Sequence, residues 1–297
     1  MWACVMAIFL VYAAIFILFE DYDKHFVQPF NEVSDWHLLA FSIVVMLLLG
    51  WLHYRYARQM DERISREQLS QQNEMRRQLT QNIAHELKTP VASILGYTDT
   101  ILDNPDITEE TKMQFIVRTN AQARRLTALL QDISTLNRMD YAPEVLTMER
   151  VNISALVADI VEETALAVEY KQMKLNNCLP EDVCIKGNWS LVYGIFRNLV
   201  DNAINYAGEG MVMEVSAEEQ GCCWAFTFRD NGVGVSAEHL PRIFERFYRI
   251  DKGRSRQMGG TGLGLAIVKN AVLLHGGEIS VSSVAGTGLC FRFTLKK

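Results

Sequence analysis

Residues 84–90 read Ala-His-Glu-Leu-Lys-Thr-Pro, and the rest of the chain is best understood outward from this stretch. A neutral imidazole nitrogen can attack phosphorus when the proton on its other nitrogen is polarised, so His85 is a candidate phosphoryl acceptor. Thr89 lies four residues later and shares a helix face with His85. Pro90 removes a helix hydrogen bond and should bend the helix beside the site. A single helical histidine is more often a surface or core residue, so the assignment depends on other motifs.

The residues around this stretch predict a helical hairpin. Apolar residues recur at three- and four-residue intervals along one helix face: Leu79, Ile83, Leu87, Val91, Ile94 and Ile101. The segment 103–106 breaks this helix, and Thr108 with Glu109 and Glu110 predicts the start of a second one. Its apolar stripe runs from Ile116 to Leu136. Because two helices cannot bury such stripes alone, we expect a homodimer that forms a four-helix bundle.

A second pattern follows the hairpin and predicts an α+β sandwich. Helical periodicity is found at Ser154–Tyr170, Ser190–Tyr206 and Leu263–His275, and strand patterns at Met211–Ser216, Trp224–Arg229, Glu278–Ser283 and Leu289–Leu295. Helices beside an antiparallel or mixed sheet form this architecture.

Polar residues at fixed spacing in this region indicate nucleotide chemistry. Asn198 and Asn202 lie four apart and share a helix face, where amide oxygens suit Mg²⁺. Asp230 ends a predicted strand, and its carboxylate can accept a hydrogen bond from an adenine amino group. Gly232 and Gly234 follow it and allow the backbone to pass close to a planar ligand.

A glycine run precedes the last predicted helix. Gly260, Gly262 and Gly264 leave backbone N–H groups free at the helix N-terminus, which is a favourable place for phosphates. The run alone is also compatible with dinucleotide sites, but the strand and the downstream acid of that motif are absent.

The order and spacing of these motifs resemble those of the bacterial sensor histidine kinases of two-component systems, from about Met75 to the C-terminus. The resemblance implies a dimerisation and phosphoacceptor hairpin of the HisKA type at 75–142. It also implies an ATP-binding domain of the GHKL, or Bergerat, type at 143–297. ATP with Mg²⁺ would then phosphorylate His85, and an aspartate of a cytoplasmic response regulator would receive the phosphoryl group. Phosphatase activity toward that regulator is also implied.

The resemblance also assigns roles to individual residues. It implies that Glu86 acts as the base beside His85 and that Thr89 positions the water that dephosphorylates the regulator. Asn202 would be the metal ligand and Asn198 a nucleotide contact, whereas Asp230 would bind adenine. The segment Gly286-Thr287-Gly288 resembles the last glycine motif, with Thr287 near the nucleotide, although a plain hairpin turn fits it nearly as well.

The chain departs from the family pattern at one position. Many members carry a basic residue where this chain has Asn205. Arg249, which follows Phe247-Tyr248, is therefore a candidate to supply the missing positive charge to the phosphates. Two other functions remain open: a GHKL-type ATPase without phosphohistidine, as in gyrase B and MutL, and a catalytically silent signalling scaffold.

The first 54 residues predict a transmembrane hairpin, followed by a helical linker at 55–74. Met1–Phe19 contains no charged residue, and Trp36–Tyr54 contains none except titratable histidines. Each run has about the 20 residues that cross a bilayer, although buried core helices are an alternative for both runs and a cleaved signal peptide is an alternative for the first. Arginines follow the second run and acidic residues dominate the loop, which predicts cytoplasmic termini in a bacterial inner membrane, in contact with lipid.

The loop between the two runs, 20–35, is too short to bury a core of its own. Either the stimulus is sensed within the membrane or through a partner membrane protein, or the loop is merely a connection. The net charge of −6 argues against nucleic-acid binding. Six cysteines lack the Cys-x-x-Cys spacing of a zinc site.

Overall fold

A computed structural model of the protein describes residues 33–250, 260–283 and 286–297. The predicted span Met1–Phe19 lies outside these residues. The second predicted span falls within the first described helix, α1 (Val33–Asp103). In this described part of the chain, no helix has both the length and the apolar character needed to cross a membrane.

The predicted hairpin is confirmed. Helix α1 continues through Pro90 and ends at Asp103, and α2 spans Glu109–Tyr141. Thr108 caps α2 as predicted, because its hydroxyl accepts a 3.3 Å hydrogen bond from the Thr111 N–H. Two residues of the predicted stripe, Ile116 and Leu130, are 47% and 51% exposed in the single chain. This face of α2 is therefore incompletely covered by α1.

The ATP-binding domain predicted from the sequence is an α+β unit of two layers. The strands of its sheet are β2 (Lys174–Cys178), β4 (Val212–Gln220), β5 (Cys223–Asp230), β6 (Ile279–Ser283) and β7 (Leu289–Lys296). Their order is β2-β4-β5-β7-β6, and among these described strands only β2 and β4 pair in parallel. Strands β1 (Glu149–Asn152) and β3 (Cys184–Gly187) form a separate antiparallel pair.

Three helices cover one face of the sheet: α3 (Ile153–Tyr170), α4 (Trp189–Tyr206) and α5 (Gly264–Leu274). Along β7 every second residue is buried, as expected for a sheet packed on one face. Phe196 of α4 packs edge-on against Phe226 and Phe293 of the central strands, with ring centroids 5.4 and 5.7 Å apart. Such aromatic contacts hold α4 on the sheet.

All predicted helices and strands of this domain are present, with small shifts at their ends. The sequence patterns did not predict β1, β2 or β3. Each is only four or five residues long.

Candidate active site

A cavity of about 340 Å³ opens where the end of α4, the end of β5 and the start of α5 meet. The segment 243–250 closes part of its rim. Eight residues that the sequence predicted for nucleotide binding line this one cavity: Asn198, Asn202, Asp230, Gly234, Arg249, Gly260, Gly262 and Gly264. Residues from four separate parts of the chain therefore converge on one space.

Asp230 is buried at the wall of the cavity. Its Oδ1 accepts hydrogen bonds from the backbone N–H groups of Gly232, at 2.9 Å, and Leu289, at 3.3 Å. Burial raises the pKa of the Asp230 carboxyl, and these two hydrogen bonds oppose the rise. Because both bonds use the same oxygen, the carboxyl group is fixed in orientation at the wall.

Close contacts require glycine at positions in and beside the cavity wall. A Cβ on Gly264 would lie 2.7 Å from Asn198 Oδ1, and a Cβ on Gly232 would lie 2.5 Å from the Ala207 carbonyl oxygen. Gly262 has a positive φ of 74°, which L-residues rarely adopt, and its carbonyl accepts a 2.8 Å hydrogen bond from the Phe247 N–H. The glycine run therefore packs directly against α4 and the rim segment.

Arg249 connects the cavity to the hairpin. Its Nη2 donates hydrogen bonds of 2.6 Å to the Gly260 carbonyl oxygen and 3.0 Å to Glu86 Oε2. Arg125 of α2 donates a 3.3 Å hydrogen bond to the same oxygen of Glu86. The residue next to His85 is thus bound both by the hairpin's second helix and by a residue of the cavity wall.

Two further contacts join the cavity region to α2. Thr261 Oγ1 lies 2.7 Å from Asp132 Oδ2, and Arg246 Nη2 lies 2.9 and 2.8 Å from the two carboxylate oxygens of Asp140. Charge-assisted bonds of this kind are stronger than neutral ones. The hairpin is therefore held to the cavity rim by three of its own carboxylates.

Two parts of the chain match known families. Residues 75–142 match the His Kinase A (phospho-acceptor) domain, and residues 187–297 match the histidine kinase-, DNA gyrase B- and HSP90-like ATPases. The first match contains the histidine motif, and the second contains the cavity. The chain belongs to the family of two-component sensor histidine kinases.

Individual relatives support this assignment. The chain is 33% identical over 223 residues to the sensor-like histidine kinase SenX3 of Mycolicibacterium smegmatis, an alignment that covers 74% of this chain and 57% of the relative. It is 34% identical to the phosphate regulon sensor protein PhoR of Pseudomonas aeruginosa, covering 74% of this chain and 50% of the relative. The chain thus spans about half the length of the curated relatives it matches.

Solved histidine kinases have the same fold. The Acinetobacter baumannii kinase AdeS matches with a TM-score of 0.58 at 22% identity, covering 71% of this chain and 97% of that chain. The kinase ThkA, solved in complex with the response regulator protein TrrA, matches with a TM-score of 0.59 at 20% identity. That match covers 74% of this chain and 61% of ThkA.

The other residues predicted for the kinase site lie outside the cavity wall. His85 is exposed on α1, and Thr89 Oγ1 donates a 3.2 Å hydrogen bond to the His85 carbonyl oxygen. Gly232 orients Asp230 through its N–H group. Thr287 is not among the described residues that line the cavity.

Some residues that join the hairpin to the cavity region were not predicted from the sequence. They are Arg125, Asp132 and Asp140 on α2 and Thr261 within the glycine run. Thr261 could have been suspected from its place between two motif glycines. The three α2 residues have no local signature, because their partners are 39 to 129 positions away in sequence.

Proposed function

We propose that the chain is a membrane-bound sensor histidine kinase that phosphorylates His85 from ATP and passes the phosphoryl group to an aspartate of a response regulator. The observation that carries the proposal is the contact of Arg249 with Glu86, because it links the wall of the nucleotide cavity to the residue beside His85. A GHKL ATPase without phosphohistidine would have no use for this link.

ATP fits the chemistry of the cavity. The Asp230 carboxylate is fixed through one oxygen, and its other oxygen can accept a hydrogen bond from the adenine amino group. The glycine run at the start of α5 offers N–H groups to the phosphates. Asn202 would hold Mg²⁺, with Asn198 contacting the nucleotide; the ion would neutralise charge on the phosphates. ShkA, a protein that shares the fold, was solved in complex with AMPPNP.

The proposed transfer proceeds in one step. A lone pair of one His85 imidazole nitrogen attacks the γ-phosphorus, and the bond from phosphorus to the β,γ-bridging oxygen breaks with its electron pair remaining on ADP. Glu86 polarises the N–H of the other ring nitrogen and takes up its proton as positive charge develops. Arg249 compensates for the absence of a basic residue at Asn205, since both residues line the cavity.

We assign residues 75–142 to dimerisation and phosphotransfer and 143–297 to ATP binding. A homodimer would cover the half-exposed face of α2, on which Ile116 and Leu130 lie. ThkA was solved with a response regulator, which supports the same class of partner for this kinase. Phosphatase activity toward the regulator would use Thr89.

We further propose that Met1–Phe19 and Trp36–Tyr54 cross the bacterial inner membrane and that 55–74 is a helical linker to the cytoplasmic kinase. Lipid would surround the two spans, and a partner membrane protein could deliver the stimulus. Alkaline extraction of membranes, together with topology reporters fused at residue 28 and at the C-terminus, tests this arrangement. Release of the chain by alkali contradicts it.

The test of the kinase function uses ATP labelled at the γ-phosphate. Wild type should incorporate label that is lost in acid and retained in base, as phosphohistidine requires. His85→Gln should abolish labelling and preserve ATP binding, whereas His53→Gln, a change in the segment that precedes the hairpin, should label normally. Steady ATP hydrolysis without a labelled protein would support the ATPase alternative, and neither activity would support a silent scaffold.

A further inference from the structure

Two arginines bind one oxygen of Glu86. Arg125 Nη2 lies 3.3 Å and Arg249 Nη2 lies 3.0 Å from Oε2. The side chains are largely buried, with 14% of Glu86, 10% of Arg125 and 6% of Arg249 exposed. A carboxylate that lost both of these cations at this depth would lose much of the compensation for its charge. An arginine that stays with Glu86 therefore helps to keep the carboxylate in place.

The two arginines are attached in different ways. Arg249 lies in the cavity wall and also donates to the Gly260 carbonyl oxygen, and its Nε has no hydrogen-bond partner among the described residues. A nucleotide phosphate in the cavity would offer this guanidinium a competing anion. Arg125 belongs to the same hairpin as Glu86 and is not among the described cavity residues. Arg249 is thus placed to change partners, whereas Arg125 is not.

We propose that Arg125 is a positioning residue that holds the Glu86 carboxylate beside His85 after Arg249 moves to the nucleotide phosphates. The inference rests on the proposed autophosphorylation, in which Glu86 polarises the imidazole. A guanidinium suits this role because its planar set of donors fixes the direction of a carboxylate as well as its charge. Arg125 acts through Glu86 and need not touch ATP.

The chain contains a matched control in the adjacent residue. Arg124 Nε donates a 2.9 Å hydrogen bond to Asn120 Oδ1 on the exposed surface of α2. Arg124 and Arg125 have the same charge and length and lie in the same helix, but Arg124 is exposed, and of the two only Arg125 bonds to Glu86. Any effect of net charge or helix propensity should therefore appear in both variants.

The experiment measures initial rates of autophosphorylation by the full chain over a range of ATP concentrations. Arg125→Gln should lower kcat by about 10- to 100-fold, because a misplaced catalytic group costs this much. KM for ATP should change by less than about twofold, since Arg125 lies outside the cavity. Arg125→Lys should restore part of kcat but remain about threefold or more below wild type, because an ammonium lacks the planar fork. Arg124→Gln should match wild type.

A double-mutant cycle tests whether the effect passes through Glu86. If it does, adding Arg125→Gln to Glu86→Gln should cause no further loss of the residual rate. Thermal unfolding of each variant identifies any that fail to fold. If Arg125→Gln is unfolded, the kcat of Arg125→Lys becomes the test. A kcat of Arg125→Lys equal to that of wild type would then overturn the proposal.

Other outcomes also overturn it: wild-type kcat in Arg125→Gln, a rise in KM for ATP with kcat unchanged, equal losses in both arginine variants, or additivity with Glu86→Gln. Absence of phosphohistidine in the wild type would instead refute the kinase function itself. The two failures are therefore distinguishable in one series of measurements.

Discussion

Thr261 Oγ1 donates a 2.7 Å hydrogen bond to Asp132 Oδ2, which joins the glycine run at the nucleotide cavity to the second helix of the hairpin. Burial raises the pKa of the Asp132 carboxyl, and the bond from Thr261 opposes this rise. Arg246 and Arg249, in the rim segment 243–250, bind two other hairpin carboxylates, those of Asp140 and Glu86. Hairpin contact and the proposed nucleotide binding therefore use neighbouring residues of the rim segment and of the glycine run.

Asp132→Ala should loosen the contact between the glycine run and α2. A hydrogen bond to a charged group contributes about 1.5–3 kcal/mol, so its loss should increase the fraction of molecules in which residues 260–265 are released. Hydrogen exchange of amides in this segment should become faster. Gln131→Ala, a change at the adjacent exposed position, is the control and should leave exchange unaltered. Equal exchange in the two variants would show that Asp132 does not restrain the segment.

Gly264→Ala should weaken ATP binding. The added Cβ would lie 2.7 Å from Asn198 Oδ1, so the amide must move away from the cavity. We expect an affinity loss of about tenfold, which corresponds to about 1.4 kcal/mol. Gly194→Ala is the control, because its Cβ would lie 4.0 Å from Asn198 Nδ2 and alanine is favoured in a helix. Calorimetric titration with ATP measures both, and unchanged affinity in Gly264→Ala contradicts a tight fit at Asn198.

The hairpin and the central strands could be predicted because their signals are local. The cap at Thr108 and the alternation along β7 are visible within a few residues. Strand β2, in contrast, is an exposed edge strand of sequence Lys-Leu-Asn-Asn-Cys, and its extended form depends on parallel pairing with β4 from Lys174–Val212 to Cys178–Ser216. Strand identity there comes from a distant partner.

The cavity residues could also be predicted, because their motifs combine glycine with a few polar residues at fixed spacing. The hairpin contacts could not. Asp132 and Arg125 resemble any charged residue on a helix surface, and only folding brings Thr261 and Glu86 to them. Long-range ion pairs have no periodicity that a single sequence reveals.

Thr89→Ala should separate the two proposed activities, autophosphorylation of His85 and dephosphorylation of the response regulator. The Thr89 hydroxyl donates to the His85 carbonyl oxygen, a bond that is not needed to keep α1 helical. Autophosphorylation should therefore stay within about twofold of wild type, while dephosphorylation of the regulator slows by about tenfold or more, because a positioned water is lost. Thr89→Ser should retain the dephosphorylation of the regulator, because serine keeps the hydroxyl group.

Thr98 provides the control for this substitution. Its hydroxyl makes the same kind of bond to the Ile94 carbonyl oxygen at 3.0 Å, but about two and a half turns further along the helix. Thr98→Ala should leave both activities unchanged. The lifetime of the phosphorylated regulator is the measurement, and an equal lifetime with Thr89→Ala and wild type would remove Thr89 from the phosphatase reaction.

His275 should make the stability of the ATP-binding domain depend on pH. Its Nδ1 donates to the Ala271 carbonyl oxygen at 2.6 Å, and its Nε2 accepts a 3.0 Å hydrogen bond from the N–H of Asn188, the cap of α4. Burial lowers the pKa of His275 below its usual 6.5, and the bond to Ala271 opposes this. The folded state therefore favours the neutral ring, since a proton on Nε2 would face another N–H donor.

Between the lowered folded pKa and about 6.5, the unfolded chain binds more protons than the folded one, so the free energy of unfolding rises with pH. The contribution is complete above about pH 6.5 and is lost as pH falls, with a slope of at most about 1.4 kcal/mol per pH unit. Thermal unfolding from pH 5 to 8 should show this slope. His275→Gln, which cannot titrate, should flatten it, whereas His239→Gln, at a histidine whose side chain is 28% exposed, should not. A slope that survives in His275→Gln would assign the pH dependence to another group.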